Sequence, residues 1–289
     1  MPLHFKAAFL IITLLVNSAS GQSPINNREI RRYQVDAFTT DNPFSGNPAV
    51  VCPLDTWLPD SVMQSIAMEN NLAATTFYVK EKGGYRIRWF TPTAEDDICG
   101  HGTLAAAFVL FNYGNEKGNS ISFAYNGGTL IVSREQDLLT ITFPVDTICK
   151  LTISPELANC FHEKVLEVYK GKLDYLFVLE NEEQVRNCKP NFSRISKIGG
   201  RGSMITAKGN KADFVSRFFA PQYGVNEDQV TGSAHTSLTK YWSLKMNKNY
   251  FHATQLSKRG GNLVCQLDGA HVKISGNAKL FSIGTIVLD

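Results

Sequence analysis

Two periodicities of apolar and polar residues alternate along the chain and predict both strands and helices. Residues 32–38 and 85–90 alternate with a period of two, as a half-buried strand does. Apolar residues recur at helical spacing in residues 60–70, and a helix is also predicted at 156–168 before alternation returns at 213–219. The pattern therefore predicts an α+β protein.

The predicted helix at 103–111 is apolar on every side. A helix without a polar face is normally buried, so we place it inside a wrapped sheet. It follows the turn Cys99-Gly100-His101-Gly102, and the turn Thr231-Gly232-Ser233 opens a second helix, rich in small residues, at 231–242. One glycine turn and one such helix in each half indicate a weak internal duplication.

Composition and charge exclude several classes of protein. The 289 residues are 43% hydrophobic and 19% charged, which is ordinary for a globular protein with two modest cores. A formal net charge of +3 gives no basic field of the kind that nucleic-acid-binding proteins carry, so we expect no nucleic-acid partner. The six cysteines lack the short paired spacings of zinc sites, so we expect no metal, while their pairing in disulfides stays open.

The first residues resemble a leader. His4 and Lys6 precede an apolar run at 7–16, and small residues at 19–21 offer a cleavage site before Gln22. We therefore predict a signal peptide over residues 1–21 and a secreted or lumenal protein; an uncleaved anchor, a misassigned start and a cytoplasmic protein are the alternatives. No later stretch approaches the roughly 20 apolar residues of a spanning helix, so no membrane association is expected after leader removal.

The two glycine turns carry the candidate chemistry. Glycines beside a helix start let the backbone approach a ligand, and His101 can donate or accept a proton near neutral pH. Asp228, or the hydroxyls of Thr231 and Ser233, would either cap the following helix or hold a substrate. Two such turns facing each other would present N–H groups to one anion, and a small carboxylate is the simplest ligand.

Several ordered motifs together resemble the PhzF family, with its phenazine biosynthesis-like proteins, over residues 33–285. The likeness is nearest to the animal phenazine biosynthesis-like domain-containing proteins. The motifs are Val35-Asp36-Ala37-Phe38 with Gly46-Asn47-Pro48-Ala49-Val50, Arg88-Trp89-Phe90-Thr91-Pro92 before Cys99-Gly100-His101, and Ser216-Arg217-Phe218-Phe219-Ala220-Pro221 before Asp228 and Thr231-Gly232-Ser233-Ala234.

The resemblance implies two similar domains, each a curved, mostly antiparallel sheet wrapped around a central apolar helix, as in diaminopimelate epimerases. We assign residues 28–146, completed by the C-terminal strand 280–289, to the first domain and residues 147–279 to the second. The resemblance also implies an active site between the domains, a homodimer and no cofactor.

The family's bacterial enzyme isomerises a cyclic dihydroxy-anthranilate by moving a proton. A glutamate acts as base and acid there, and a histidine, an aspartate and a serine surround the substrate. By resemblance the catalytic residues are His101 and Asp228, and the substrate-binding residues are Asn47, Gly100, Gly102, Thr231, Gly232 and Ser233.

The glutamate is where this sequence departs from the family. The family pattern Asn-Leu-Ser-Glu is replaced by residues 71–74, which end in Ala74 at the catalytic position. Losing a positioned acid/base group typically costs about 100 to 10,000-fold in rate, so the isomerase is expected to be impaired unless Glu69, Glu95 or Asp97 substitutes. The alternative is a catalytically inactive pseudoenzyme that serves as a small-molecule-binding or scaffold protein.

A thiol-based racemase is a further possibility that the sequence disfavours. The Cys99 turn is similar to that of diaminopimelate epimerases, whose two-base mechanism needs one thiol on each face of the α-carbon. The second turn begins with Thr231 instead of cysteine. We therefore expect Cys99 to be a small buried filler.

Overall fold

The computed structural model describes residues 29–288, so the predicted signal peptide lies outside the described residues. The alternating segments of the first half form strands, and the two helical segments form helices. The strands are β1 Glu29–Ala37, β2 Asn47–Leu54, β3 Ala74–Glu81, β4 Gly84–Phe90, β5 Glu95–Asp96, β6 Ser120–Tyr125, β7 Gly128–Glu135 and β8 Leu138–Pro144. The helices are α1 Asp60–Asn70 and α2 Gly100–Tyr113.

The second half repeats this mixture with shorter helices. Its strands are β9 Cys149–Leu151, β10 Glu167–Lys170, β11 Tyr175–Val178, β12 Ser203–Lys208, β13 Phe214–Ala220, β14 Val225–Asp228, β15 Tyr250–Gln255, β16 Gly261–Asp268, β17 His271–Gly276 and β18 Ala278–Val287. Its helices are α3 Pro155–Ala158, α4 Glu182–Asn187, α5 Phe192–Ile195 and α6 His235–Met246, with a 3₁₀ turn at Pro221–Tyr223.

The strands form one continuous sheet whose halves repeat the same order. In the first lobe, defined as β1–β8 with β18, the order is β18-β1-β2-β3-β4-β6-β7-β8. In the second lobe, defined as β9–β17, it is β9-β10-β11-β12-β13-β15-β16-β17. The two lobes join where β8 pairs with β17.

Parallel pairs occur at matching places in the two lobes. They are β2–β3 and β4–β6 in the first lobe, and β11–β12 and β13–β15 in the second. Each lobe also attaches a two- to four-residue strand, β5 or β14, beside the strand that precedes it. α2 follows β5 and α6 follows β14, so the internal duplication extends to the helices.

The helix that is apolar on every side is buried, as the sequence predicts. α2 has eleven buried residues and contacts β1, β2, β3 and β8. α6 is also largely buried and contacts β16 and β17, although serine, threonine and histidine make up much of its buried surface. The α+β fold with two similar lobes is therefore confirmed, whereas the exact domain boundary stays a prediction. β18 pairs with β1 along its length.

The helix predicted at 156–168 is wrong. Only α3 forms a single turn there, and Glu167–Lys170 is strand β10. Its Val168 is fully buried and pairs with Leu151 on one side and Phe177 on the other. Both edges of β10 pair with neighbouring strands, and this pairing satisfies backbone N–H and C=O groups that lie inside the sheet.

Two further sequence questions concern the cysteines and the membrane. All six cysteines are free thiols, and five of them are buried. Within residues 29–288, no helix has both the length and the apolar character needed to cross a membrane.

Candidate functional site

The two glycine turns lie side by side at the starts of α2 and α6. A Cβ placed on Gly100 would lie 3.5 Å from the backbone N of Ser233 and 3.6 Å from Cα of Gly232. Glycine at these positions therefore lets the two backbones approach closely. Two helix beginnings, one from each lobe, meet here, and helix beginnings offer N–H groups that favour an anion.

A cavity of about 180 Å³ opens where the turns meet. Pockets for drug-sized ligands measure roughly 300–1,000 Å³, so this one suits a smaller molecule. Among the residues predicted from the sequence, it is lined by Gly100, His101, Asp228, Thr231, Gly232 and Ser233. The sequence-predicted residues of the two turns are thus brought together.

Three predicted residues do not line this cavity. Ala74 is the first residue of β3 and is 2% exposed; its neighbour Ala73 lines the cavity. Asn47 is fully buried beside Asp228 and lines a second, adjoining depression. Gly102 lies in the first turn of α2, where it packs against the sheet.

Gly102 is required for that packing. A Cβ at this position would lie 2.6 Å from Thr76 Oγ1 and 3.0 Å from Trp89 Cδ1. We expect Gly102→Ala to lower the free energy of unfolding by about 1–3 kcal/mol, as overpacking of a core does. Chemical denaturation measures this. Gly118→Ala is the matched control, because its Cβ would meet nothing closer than 3.8 Å; an equal loss in both variants would contradict the prediction.

His101 is a buried imidazole with one free nitrogen. The residue is 6% exposed, its Nδ1 lies 3.4 Å from Cys99 Sγ, and within the described chain its Nε2 is buried without a hydrogen-bond partner. Burial lowers the pKa of His101 below its usual value of 6.5, although the Asp228 carboxylate acts to raise it. The imidazole is therefore neutral at pH 7.

Cys99 fixes which nitrogen of His101 carries the proton. Burial, followed by the Asp96 charge, holds the pKa of the Cys99 thiol well above 9.0, and the Gly102 N–H donates to its sulfur. A neutral thiol that already accepts this bond has its S–H available for Nδ1. We therefore assign the proton to Nε2, the nitrogen without a protein partner. The expectation that Cys99 is buried holds, and the thiol also orients the imidazole.

Asp228 is held as an acceptor by two side chains. Asn47 Nδ2 donates to Oδ1 at 2.7 Å, and Thr231 Oγ1 donates to Oδ2 at 2.6 Å. The alternative in which Asp228, Thr231 or Ser233 caps the helix is wrong, since α6 begins at His235 after Ala234 with no side-chain cap. The polar side chains of the second turn are therefore free of the capping task.

A half-buried guanidinium, Arg201, faces the same cavity and was not predicted from the sequence. Its Nε and Nη2 donate to Asp174 at 3.0 and 2.5 Å, and its Nη1 donates to Ser233 Oγ at 3.0 Å. Burial acts to lower the pKa of Arg201, but the carboxylates of Asp174, Asp96 and Asp228 raise it overall. The cavity therefore contains a permanent positive charge.

Asp96 is a second unpredicted cavity residue. Burial raises the pKa of its carboxyl above the ordinary 3.8, although the Arg201 charge and the Ile98 N–H act to lower it. That N–H lies 3.4 Å from Oδ1 and is the one hydrogen-bond donor to the Asp96 carboxyl within residues 29–288. The carboxyl is therefore weakly hydrogen-bonded, and it lies near the charged guanidinium of Arg201.

The three acids considered as substitutes for the missing glutamate lie in different places. Glu69 borders a separate depression beside α1 and the end of β18. Glu95 reaches the cavity rim but binds Arg88 through both oxygens, at 2.7 and 2.6 Å. Asp97 lines the cavity and is exposed.

The acidic triplet at 95–97, just before the first glycine turn, was the signal that could have identified Asp96. All three of its residues line the cavity. Arg201 offered no comparable signal, because it follows a glycine pair and precedes a strand in a stretch without a motif. Only folding brings it to Ser233.

Comparison with known proteins identifies the family of this chain. The PhzC-PhzF family model, described as phenazine biosynthesis-like protein, matches residues 35–284. An uncharacterized isomerase of Pseudomonas aeruginosa is 46% identical over 261 residues, which span 90% of this chain and 100% of that protein. Phenazine biosynthesis-like domain-containing protein 1 of Mus musculus is 35% identical over 286 residues, spanning 88% and 98%. The expected nearest likeness to animal proteins is therefore wrong.

Solved structures extend the comparison to the fold. The crystal structure of a PhzF-family phenazine biosynthesis protein from Enterococcus faecalis has a TM-score of 0.86 and 44% identity, and the match covers 90% of this chain and 100% of that one. A hydroxyproline epimerase from Agrobacterium vitis has a TM-score of 0.62 at 9% identity, with 91% and 93% covered, and shares the fold alone. From its sequence, its two-lobed fold and these matches, the chain belongs to the PhzF family of phenazine biosynthesis-like proteins.

Proposed function

We propose that the protein is a cofactor-free isomerase that moves a proton on a small carboxylate bound between its lobes. The observation that carries this proposal is one cavity, at the meeting point of two helix starts, that holds both a charged Arg201 and a neutral His101. The bacterial relatives named as isomerases support the reaction class.

The charge distribution favours a carboxylate as ligand. Arg201 has five N–H groups, of which Asp174 and Ser233 take three, so Nη1 and Nη2 each retain one donor. A guanidinium fork with two free donors matches the two oxygens of a carboxylate. The N–H groups of the adjoining helix starts add to the same preference.

His101 would stabilise charge that develops on the substrate. When a proton leaves a carbon next to a carboxyl or carbonyl group, negative charge moves to the oxygen. The Nε2–H of a neutral, buried imidazole, already oriented by Cys99, can donate to that oxygen without reorganisation. Moving a proton and a double bond involves no net oxidation, so no redox cofactor is needed.

Ala74 is the observation that favours the second candidate, a pseudoenzyme that binds a carboxylate without turnover. An alanine there offers no acid or base, and a catalytic loss on that account would be about 100 to 10,000-fold. Both candidates share the same ligand class, so only a measurement of proton transfer separates them.

Deuterium incorporation is the direct test. The protein is incubated in deuterated water with a panel of cyclic carboxylates that includes dihydro-anthranilates, each beside its methyl ester. We expect solvent deuterium to enter a carbon of at least one acid and of none of the esters, because the ester removes the charge that pairs with Arg201. Mass spectrometry measures the incorporation and calorimetry measures the binding.

Each result separates the candidates. Binding of the acids with no incorporation would make the pseudoenzyme the correct function. Equal exchange of acid and ester would contradict the role of Arg201, and absence of binding by every acid would end the carboxylate proposal.

The predictions of export and of a homodimer rest on the amino-acid sequence alone. The leader-like residues 1–21 support export to a secreted or lumenal compartment, and the family resemblance supports a homodimer. Both stay predictions. The cavity is lined by residues of both lobes.

A further inference from the structure

The internal duplication gives each residue of the first glycine turn a counterpart in the second. β5 and β14 each end in an aspartate, Asp96 and Asp228, that pairs through its backbone with an aromatic residue of the preceding strand. Three residues later the turns Cys99-Gly100-His101 and Thr231-Gly232-Ser233 begin. Asp96 is therefore the first-lobe counterpart of Asp228.

A matching ion pair strengthens the correspondence. Glu95, just before Asp96, binds Arg88 of β4 at 2.6 Å, and Glu227, just before Asp228, binds Arg217 of β13 at 2.6 Å. Each glutamate is thus tied to its own lobe's sheet. The aspartate that follows each glutamate lines the cavity.

The two related carboxyls nevertheless have different surroundings. Both oxygens of Asp228 accept strong hydrogen bonds from side chains, whereas Asp96 accepts one long bond from a backbone N–H. The charged or titratable neighbours of Asp96 are Arg201, Asp228, Asp97 and the Cys99 thiol. Two carboxyls in unlike environments at one site are suited to unlike tasks, and the weakly bonded one is the better proton carrier.

We propose that Asp96 is the catalytic acid/base that takes the place of the missing family glutamate. The proposal rests on the proposed isomerase function. His101 is 6% exposed and lines the same cavity, and its Nε2 has no hydrogen-bond partner within the described residues. This unpaired nitrogen is independent evidence for a ligand site in the cavity.

The proton balance of this step closes within the site. The Asp96 carboxylate takes a proton from a tetrahedral carbon of the bound carboxylate, breaking one C–H bond, and the electron pair forms a new double bond. The Asp96 carboxylic acid formed in this way then gives the proton to the carbon at the far end of the displaced double bond, making one C–H bond. Nothing is oxidised or reduced, and exchange of the Asp96 proton with solvent brings deuterium into the product.

Position 74 lies close enough to the cavity to test whether a glutamate restored there can replace Asp96 as the acid/base. Ala74 faces the same side of β3 as Thr76, and Thr76 Oγ1 touches the first turn of α2 at Gly102. Gly100 and His101, at the start of α2, line the cavity. We therefore expect a glutamate at position 74 to extend along the start of α2 toward the cavity.

The experiment compares the full protein with Asp96→Asn, Asp96→Glu and an Asp96→Asn/Ala74→Glu double variant. On the acid that the wild type exchanges best, Asp96→Asn should reduce deuterium incorporation by about 100-fold or more with its Kd changed by less than about threefold. The double variant should recover at least about tenfold of that loss. Asp137→Asn, in the exposed turn between β7 and β8, is the matched control and should leave the rate unchanged.

The pH profile adds a reading that a structural role would not change. Because the carboxylate is the reactive form, incorporation should fall as pH drops through the pKa of Asp96, which lies above 3.8. Asp96→Glu should retain exchange and shift this limb. An unshifted limb would overturn the proposal even if the double variant fails to fold.

The remaining outcomes are equally decisive. Wild-type exchange that persists in Asp96→Asn overturns the role of Asp96 and leaves the isomerase standing. Loss of binding together with exchange shows a binding residue and also overturns it. No exchange by the wild type overturns both proposals.

Discussion

Replacing His101 by leucine should reduce deuterium incorporation by about 100 to 1,000-fold while the carboxylate still binds. Leucine fills nearly the same volume but has no N–H, and losing one donor to a developing oxyanion has this cost. The Nε2 atom makes no bond within the described chain, and the one side-chain hydrogen bond that leucine removes is the contact of Nδ1 with Cys99 Sγ at 3.4 Å. The rate of incorporation and the Kd measure the two effects separately.

His101→Gln is the matched control for this prediction, because an amide of similar reach restores an N–H donor. We expect it to recover part of the rate that leucine loses. Equal rates in the glutamine and leucine variants would argue against a donor role. Thermal unfolding of all three proteins shows whether any rate change comes from loss of the fold.

Replacing Arg201 by glutamine should lower the free energy of unfolding by about 3–5 kcal/mol and abolish carboxylate binding. Asp174 is 4% exposed, and without the guanidinium its charge would remain buried and unpaired, which has this cost. The surface salt bridges of this protein are worth far less, because solvent screens them. Chemical denaturation and calorimetry measure stability and binding.

The double variant Arg201→Gln/Asp174→Asn separates the two consequences. With the Asp174 side chain also neutral, most of the stability should return, since neutral side chains of similar size replace the pair. Binding of carboxylates should stay absent, because the cavity no longer holds a fixed cation. Recovery of binding in the double variant would show that Arg201 does not anchor the ligand.

The residues on which these predictions depend were not equally recognisable from the amino-acid sequence. His101 and Asp228 belong to glycine turns whose motifs are local, and a local motif can be recognised wherever the chain folds around it. Arg201 lies just before β12, and Asp174 lies just before β11. Because β11 and β12 are neighbours in the sheet, Arg201 comes within hydrogen-bond distance of Asp174. Its guanidinium also donates to Ser233. Such a contact joins residues 27 and 32 positions apart and leaves no periodic trace.

The helix that was wrongly predicted at 156–168 illustrates the same limit. Val168, the last residue of the predicted helix, instead lies in β10 and pairs with two neighbouring strands, β9 and β11. Tertiary pairing overrode a weak local preference. The alternative of a side-chain cap on α6 failed for a related reason, since Thr231 donates to Asp228 and Ser233 accepts from Arg201.

The α+β class, the buried helix α2 and the two glycine turns could be predicted from the amino-acid sequence, because each depends on residue spacing within a short stretch of chain. The internal duplication followed from the recurrence of one such turn and helix in each half. Only folding brings Asp96 and Arg201 into one cavity with His101 and Asp228. Strand pairing sets those neighbours, and the burial that follows sets their charges, since the proton affinity of a carboxyl or an imidazole depends on the groups and the solvent around it.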